Sequence, residues 1–127
     1  MMNMNNPLNQ LMEKNLLEVF GERDSARRKI AIDAIYTGNC TFFETNEEIV
    51  GRDALNAKVE SLLKGAPGFV FRAAGPAEVN HDVGRLRWHL GPPGAPPVVT
   101  GMDIALFQKG RIRSLYTFLE QSTLKSR

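Results

Sequence analysis

Two carboxylates sit where chemistry could be done. Asp103 lies inside the apolar run VVTGMDIALF at 98–107. A strand alternates its faces, so Val99, Gly101, Asp103, Ala105 and Phe107 share one side, and Met102, Ile104 and Leu106 the other. Both sides are largely apolar, and both are expected to be covered. A covered acid must be paired, hydrogen-bonded or protonated. Apolar walls would raise its pKa into a range useful for proton transfer to a ligand. The plainer reading is a structural acid tied to Arg113, to a backbone amide or to water. An ion pair with Arg113 would lower the pKa and favour binding or structure over general-acid work. Glu44, in CTFFET at 40–45, shares a strand side with Phe42. If Phe42 faces an apolar interior, so does Glu44. Two carboxylates in one dry pocket push their pKa values apart and become an acid and a base. The alternative for Glu44 is a solvated position at a hairpin mouth, beside Glu47 and Glu48.

The expected ligand surface is completed by Phe42, Phe69, Phe71, Trp88, Arg113, Leu115 and Leu119. Trp88 shares its side with Leu86 and Leu90, which also suits plain core. Tyr116 alternates to the side opposite Leu115 and Leu119. His81 falls in a turn and His89 opposite Trp88, and no His/Asp/Glu spacing matches a metal site. No cofactor is implied.

Glycine and proline punctuate the elements that must position these residues. Residues 7–20 repeat apolar positions at helical spacing, from Leu8 to Phe20, with Gly21 as the stop. A second helix is expected from about 24 to 36, burying Ile30, Ile32, Ala34, Ile35 and Tyr36. Residues 40–45 and 48–50 form a short hairpin, and a third helix runs from Gly51-Arg52-Asp53 to about 64. The rest reads as strand. Residues 69–79 are broken by Gly75-Pro76, then come 83–90, the stiff turn GPPGAPP at 91–97, 98–108 and 111–119. Gln108-Lys109-Gly110 joins the last two. The predicted class is α+β, with three helices packed on a strongly curved, mainly antiparallel sheet as a cone with an apolar interior. Residues 1–7 are expected as a disordered tail, 8–120 as a single domain and 121–127 as a polar tail.

The chain has 127 residues, a net charge of +2 and a single cysteine, Cys40. The charge is too small to imply nucleic acid, and Arg27-Arg28-Lys29 reads as a solvated helix face. One cysteine allows no internal disulfide, which suits a reducing cytoplasm. The N-terminus lacks a signal-peptide pattern, and no apolar run approaches the roughly 20 residues a membrane helix needs.

The segments IVGRDAL at 49–55, AAGPAEV at 73–79, RLRWHLGPPGAP at 85–96 and GMDIALFQKGRIRSLYTFLE at 101–120 resemble the nuclear transport factor 2-like (NTF2-like) superfamily. The chain is most similar to its SnoaL-like branch of polyketide cyclases and ketosteroid isomerases. That resemblance implies a cystatin-like cone. It sets Asp103 at the late-strand aspartate that hydrogen-bonds an oxyanion in ketosteroid isomerases, and Glu44 at the position of their base. Their first-helix tyrosine has no counterpart among Leu16 to Phe20. The activity implied is cofactor-independent proton transfer on a hydrophobic carbonyl compound, of isomerase, cyclase or lyase type. Two alternatives stand beside it: a non-catalytic module for an apolar ligand, and a dimerisation scaffold with a vestigial pocket. A homodimer is expected through the convex sheet face, where Met102, Ile104, Leu106, Tyr116 and Phe118 gather.

Overall fold

A computed structural model describes residues 6–122, with side chains to 120; of the tails expected at 1–7 and 121–127, residues 1–5 and 123–127 lie outside these. Asn6 caps the first helix, its Oδ1 accepting the Leu8 N–H at 2.9 Å, and Pro7 takes the first turn, where no N–H is needed. This helix, α1 (Pro7–Lys14), widens into a π-helical segment, Asn15–Phe20, before Gly21 stops it. Its inner stripe is Met12, Asn15, Leu16, Val19 and Phe20. Pro7 therefore belongs to the fold rather than to a tail.

Asp24 caps α2 (Ser25–Ile35) by accepting the Arg27 N–H at 2.8 Å. The buried stripe of α2 is Arg28, Ile32 and Ile35, while Ile30 is 71% exposed. This corrects the expected face, which held Ile30 and Ala34 inside and Arg28 outside; Arg27 does stay exposed. Arg28 is tolerated there because α3 (Arg52–Lys64) supplies its partners. The guanidinium donates to Asn56 Oδ1 at 3.0 Å and to Glu60 Oε1, and pairs with Glu60. Tyr36 is a second correction: it opens β1 (Tyr36–Glu44) instead of closing α2. Helix passes to strand there with no glycine or proline to mark the change.

The strands β2 (Glu47–Val50), β3 (Val70–Ala73), β4 (Glu78–Asn80), β5 (Val83–Gly91), β6 (Val99–Gln108) and β7 (Arg111–Ser122) join β1 in one curved, mixed sheet. The order is β2-β1-β7-β6-β5-β3, and β4 extends the outer pairing on β5 beyond the Gly75-Pro76 break. All pairings are antiparallel except β1 with β7. The β6–β7 hairpin closes through Lys109 and Gly110, both at positive φ (52° and 78°), the conformation a two-residue hairpin turn requires. β7 runs to Ser122, two residues into the expected polar tail.

One irregularity decides the site. Phe107 pairs with Ile112, but Leu106 pairs with Ser114, so Arg113 is an extra residue in β7. Such a bulge re-phases the strand beyond it. The concave side carries Phe42, Leu86, Trp88, Val99, Asp103, Ala105 and Leu115 against Leu16, Val19 and Phe20 of the first helical segment and Leu55, Val59 and Leu63 of α3. No helix among the described residues is long and apolar enough to cross a membrane.

Candidate functional site

A cavity of about 360 Å³ lies between the concave sheet face and the helices. Its walls are mainly apolar, built by Phe20, Phe42, Phe71, Trp88, Leu90 and Val99 among others. The aromatic rings brace one another. Phe20 lies 5.5 Å from Phe42 and 6.3 Å from Phe71 between centroids, and Phe71 meets Trp88 edge-on at 5.3 Å. These are favourable tilted and edge-to-face geometries. The rings line an open space rather than filling it.

Asp103 enters this cavity from β6 and is only 4% exposed. Trp88 Nε1 donates to its Oδ1 at 3.0 Å, and Thr117 Oγ1 donates to the same oxygen at 2.8 Å. Among the described residues Oδ2 has no hydrogen-bond partner. Burial pushes the carboxyl up to about 6, against the opposing pull of the Thr117 and Trp88 hydrogen bonds. Two donors on Oδ1 make that oxygen the acceptor, so a proton, when bound, sits on Oδ2. At pH 7 the carboxylate prevails, with the acid form at about one in ten.

Gly101 makes the first of these bonds possible. Trp88 pairs with Gly101 across β5 and β6, and a Cβ on Gly101 would fall 2.3 Å from Trp88 Cζ2. Only a bare backbone lets the indole lie across β6 and reach Asp103, two residues on. Thr117 reaches Asp103 through the bulge. Without Arg113's extra step, the Gln108–Arg111 register would set Tyr116 opposite Asp103; with it, Thr117 is the cross-strand partner.

Glu44 also lines the cavity, at its more open side with Ser61, Leu62, Gly65 and Leu119. Its carboxylate is held by Lys58 of α3 at 3.2 Å, and Lys58 also contacts Glu47. Burial works to lower the Lys58 pKa, but hydrogen bonds to Glu47 and Glu44 outweigh it and raise the value. Glu44 is thus a paired carboxylate on the rim, not a second bare acid in the interior.

Of the residues expected at the site, Asp103, Glu44, Phe42, Phe71, Trp88 and Leu119 line the cavity. Three do not. Leu115 is wholly buried in the core behind the wall. Phe69 is half-buried at the end of the loop after α3, outside the lining. Arg113 is exposed and does not meet Asp103, because the bulge at Arg113 breaks the alternation that had grouped it with Leu115 and Leu119. Thr117 shares the side of Leu115 and Leu119, and its place opposite Asp103 follows from the cross-strand register that the bulge sets. A buried tyrosine was missed. Tyr36 is fully buried and donates to Asn15 Oδ1 of the π-helical segment at 2.6 Å. Burial, with the nearby Asp103 charge, holds its hydroxyl well above the ordinary tyrosine pKa. Asn15 Nδ2 is buried and has no partner among the described residues. Tyr36 is not among the residues lining the cavity.

No family model matches the chain, and no curated protein matches it by sequence. Solved structures do. A SnoaL-like family protein from Agrobacterium tumefaciens superposes with a TM-score of 0.81 at 23% identity, covering 88% of this chain and 96% of that one. A SnoaL-like protein from Jannaschia gives 0.69 at 16% identity over 94% and 92% of the two chains. A protein of ketosteroid isomerase type from Kribbella flavida gives 0.69 at 12% over 95% and 83%. At such identities the likeness establishes the fold: the chain has the NTF2-like α+β cone of the SnoaL-like proteins, as its sequence motifs implied. A de novo designed protein with a curved β-sheet also matches, with a TM-score of 0.69. The fold alone therefore carries no activity.

Proposed function

We propose that this protein takes an apolar carbonyl compound into its cone and that Asp103 moves a proton at the carbon beside the carbonyl. The observation that carries this reading is a buried carboxylate whose Oδ2 is unpartnered inside an open, apolar cavity. Oδ2 accepts the proton from carbon and returns it to another position. Trp88 and Thr117 hold the carboxylate through Oδ1 and spread its charge. The walls exclude water, which keeps the base poorly solvated and near the operating pH, where general bases work best. The rim carboxylate Glu44, held by Lys58, fixes the polar edge of a ligand rather than sharing the transfer. Isomerase, cyclase and lyase chemistry all begin with this step, and the named structural neighbours are classed with isomerases and cyclases.

The test is proton exchange. Incubated in deuterated buffer with 6-(dimethylamino)-2-acetylnaphthalene and similar ketones, the protein should speed deuterium entry beside the carbonyl, followed by NMR. Asp103→Asn should lower that rate roughly 100-fold or more. Equal exchange by both proteins removes the proton-transfer reading. Binding without exchange supports the second reading, a non-catalytic module for apolar ligands. The pairing of Glu44 with Lys58 favours that alternative, because it leaves a single unpaired acid in the cavity. A scaffold with a filled pocket is disfavoured by the open cavity.

For assembly, we propose a homodimer through the convex sheet face. Phe118 is 58% exposed there, beside Met102, and Tyr116 stacks on Phe43 at 4.5 Å next to Ile104. A cytoplasmic setting suits the single free thiol of Cys40.

A further inference from the structure

One of the two walls at the cavity mouth is not made by the sheet. It is the end of α3 and the loop after it, with Ser61, Leu62, Leu63, Gly65 and Ala66 lining the space. Within this segment the hydrogen bonds are short-range. Gly65 N–H donates to the Ser61 and Leu62 carbonyls, Ala66 N–H to Leu63 and Phe69 N–H to Ala66. Such local bonds shape a loop but do not place it against the rest of the protein.

Leu63 and Ala66 pack inside, and one side chain adds long-range hydrogen bonds to this segment. Arg23, between the first helical segment and α2, donates Nη1 to the Leu63 carbonyl at 3.0 Å. Its Nη2 donates to the carbonyls of Ala66 at 2.7 Å and Phe69 at 2.8 Å. A planar guanidinium can serve three carbonyls in a fixed fork, which an ammonium cannot. Its charge also faces the carbonyl end of α3, where a cation is favoured. Arg23 is exposed overall, while its bonds to the Leu63 and Ala66 carbonyls are partly buried and both of those residues pack inside; the fork therefore fixes where this wall lies. Opposite this wall stand Leu119 of β7, 61% exposed, and Glu44.

We propose that Arg23 sets the width of the cavity mouth and so selects carbonyl ligands by girth. The proposal rests on the reading of the cavity as a site for apolar carbonyl compounds. Arg23 touches no ligand; it is a positioning residue, acting through Leu62, Leu63 and Ala66. With the fork in place, slim ligands enter between α3 and Leu119 while wide ones are held back. With the fork cut, the loop retreats and both enter.

The experiment compares two ketones of different width, 6-(dimethylamino)-2-acetylnaphthalene with two rings and 1-acetylpyrene with four. Stopped-flow fluorescence gives association rate and affinity for wild type, Arg23→Met and Arg23→Lys. Wild type should prefer the two-ring ketone by about tenfold or more, within the range that pocket shape gives for small changes in an apolar ligand. Arg23→Met should bring the ratio near one by speeding entry of the wide ketone, and Arg23→Lys, which keeps the charge without the fork, should fall between. A lost tie that matters only to stability would lower the melting temperature with the ratio unchanged, and that result overturns the proposal. If Arg23→Met does not fold, the ratio for Arg23→Lys decides. If neither variant folds, Arg23 is a folding residue and the proposal fails. If wild type binds neither ketone, the carbonyl-site reading fails with it. If wild type binds or exchanges the slim ketone but the variants show its ratio, the mouth proposal alone fails.

Discussion

Trp88 Nε1 donates to Asp103 Oδ1 at 3.0 Å, and it does so from a strand position opposite Gly101, not opposite the aspartate. The contact is diagonal and depends on the missing Cβ beneath the indole. The G-x-D spacing therefore reads as one device: a glycine to seat the ring, and an acid one inward-facing position further on to receive its N–H.

Gly101→Ala should accordingly displace Trp88, since the new methyl would overlap the ring. Forced overpacking of this kind costs about 1–3 kcal/mol. Urea unfolding should show that loss, and tryptophan fluorescence should report a more polar indole. Trp88→Phe should keep most of the packing but remove a donor from Asp103, so the carboxyl pKa should move further upward in an NMR titration.

The raised pKa of Asp103 makes stability depend on pH with a definite sign. Its folded value of about 6 lies above the ordinary aspartate value of 3.8. Between the two the native state binds more protons than the unfolded one, so stability falls as pH rises through this window. The difference of about two units corresponds to roughly 3 kcal/mol. Other carboxylates cancel in a comparison with Asp103→Asn. The variant should gain on wild type as pH goes from 4 to 8, by urea unfolding, and level off above pH 7. A constant gap would show that Asp103 is ordinary. If it is the base in turnover, activity should rise with pH and plateau above about 6.

Arg28 is wholly buried while Glu60, its carboxylate partner, has a side chain 37% exposed. Glu60→Ala leaves the guanidinium charge inside with Asn56 as its remaining partner among the described residues. A loss of about 3 kcal/mol is expected, at the lower end for broken buried pairs because Glu60 is partly solvated. Arg28→Met with Glu60→Leu should recover most of it. Chemical denaturation of the three variants checks this.

If the convex face joins two copies, Phe118→Glu should give a monomer in equilibrium sedimentation at micromolar concentration, with an unfolding transition that no longer depends on protein concentration. A wild-type monomer under the same conditions removes the dimer.

Much of this architecture was legible because glycine and proline mark its joints. Asp103 was placed on the concave face because β6 alternates without a break from Val99 to Phe107. The first errors came where local pattern yields to distant partners. Arg28 is inside because Asn56 and Glu60, far along the chain, receive it. Tyr36 is a strand residue at an unmarked helix end, and its hydroxyl is satisfied by Asn15, which apolar periodicity would leave out of any core. One further error has its own cause. Arg113 was grouped with Leu115 and Leu119 by counting in twos, and counting in twos fails across a bulge.

The extra residue at Arg113 has an evolutionary reading. It acts as a gear tooth, since the outer half of β7 turns over as a block when that tooth is added or lost. Removing it would rotate the Thr117 hydroxyl to the outside and bring the Tyr116 phenol towards the carboxylate, while every later side chain trades places. In a cone built this way, new chemistry can arise from an insertion or deletion of one codon in a hairpin, with no substitution inside the cavity.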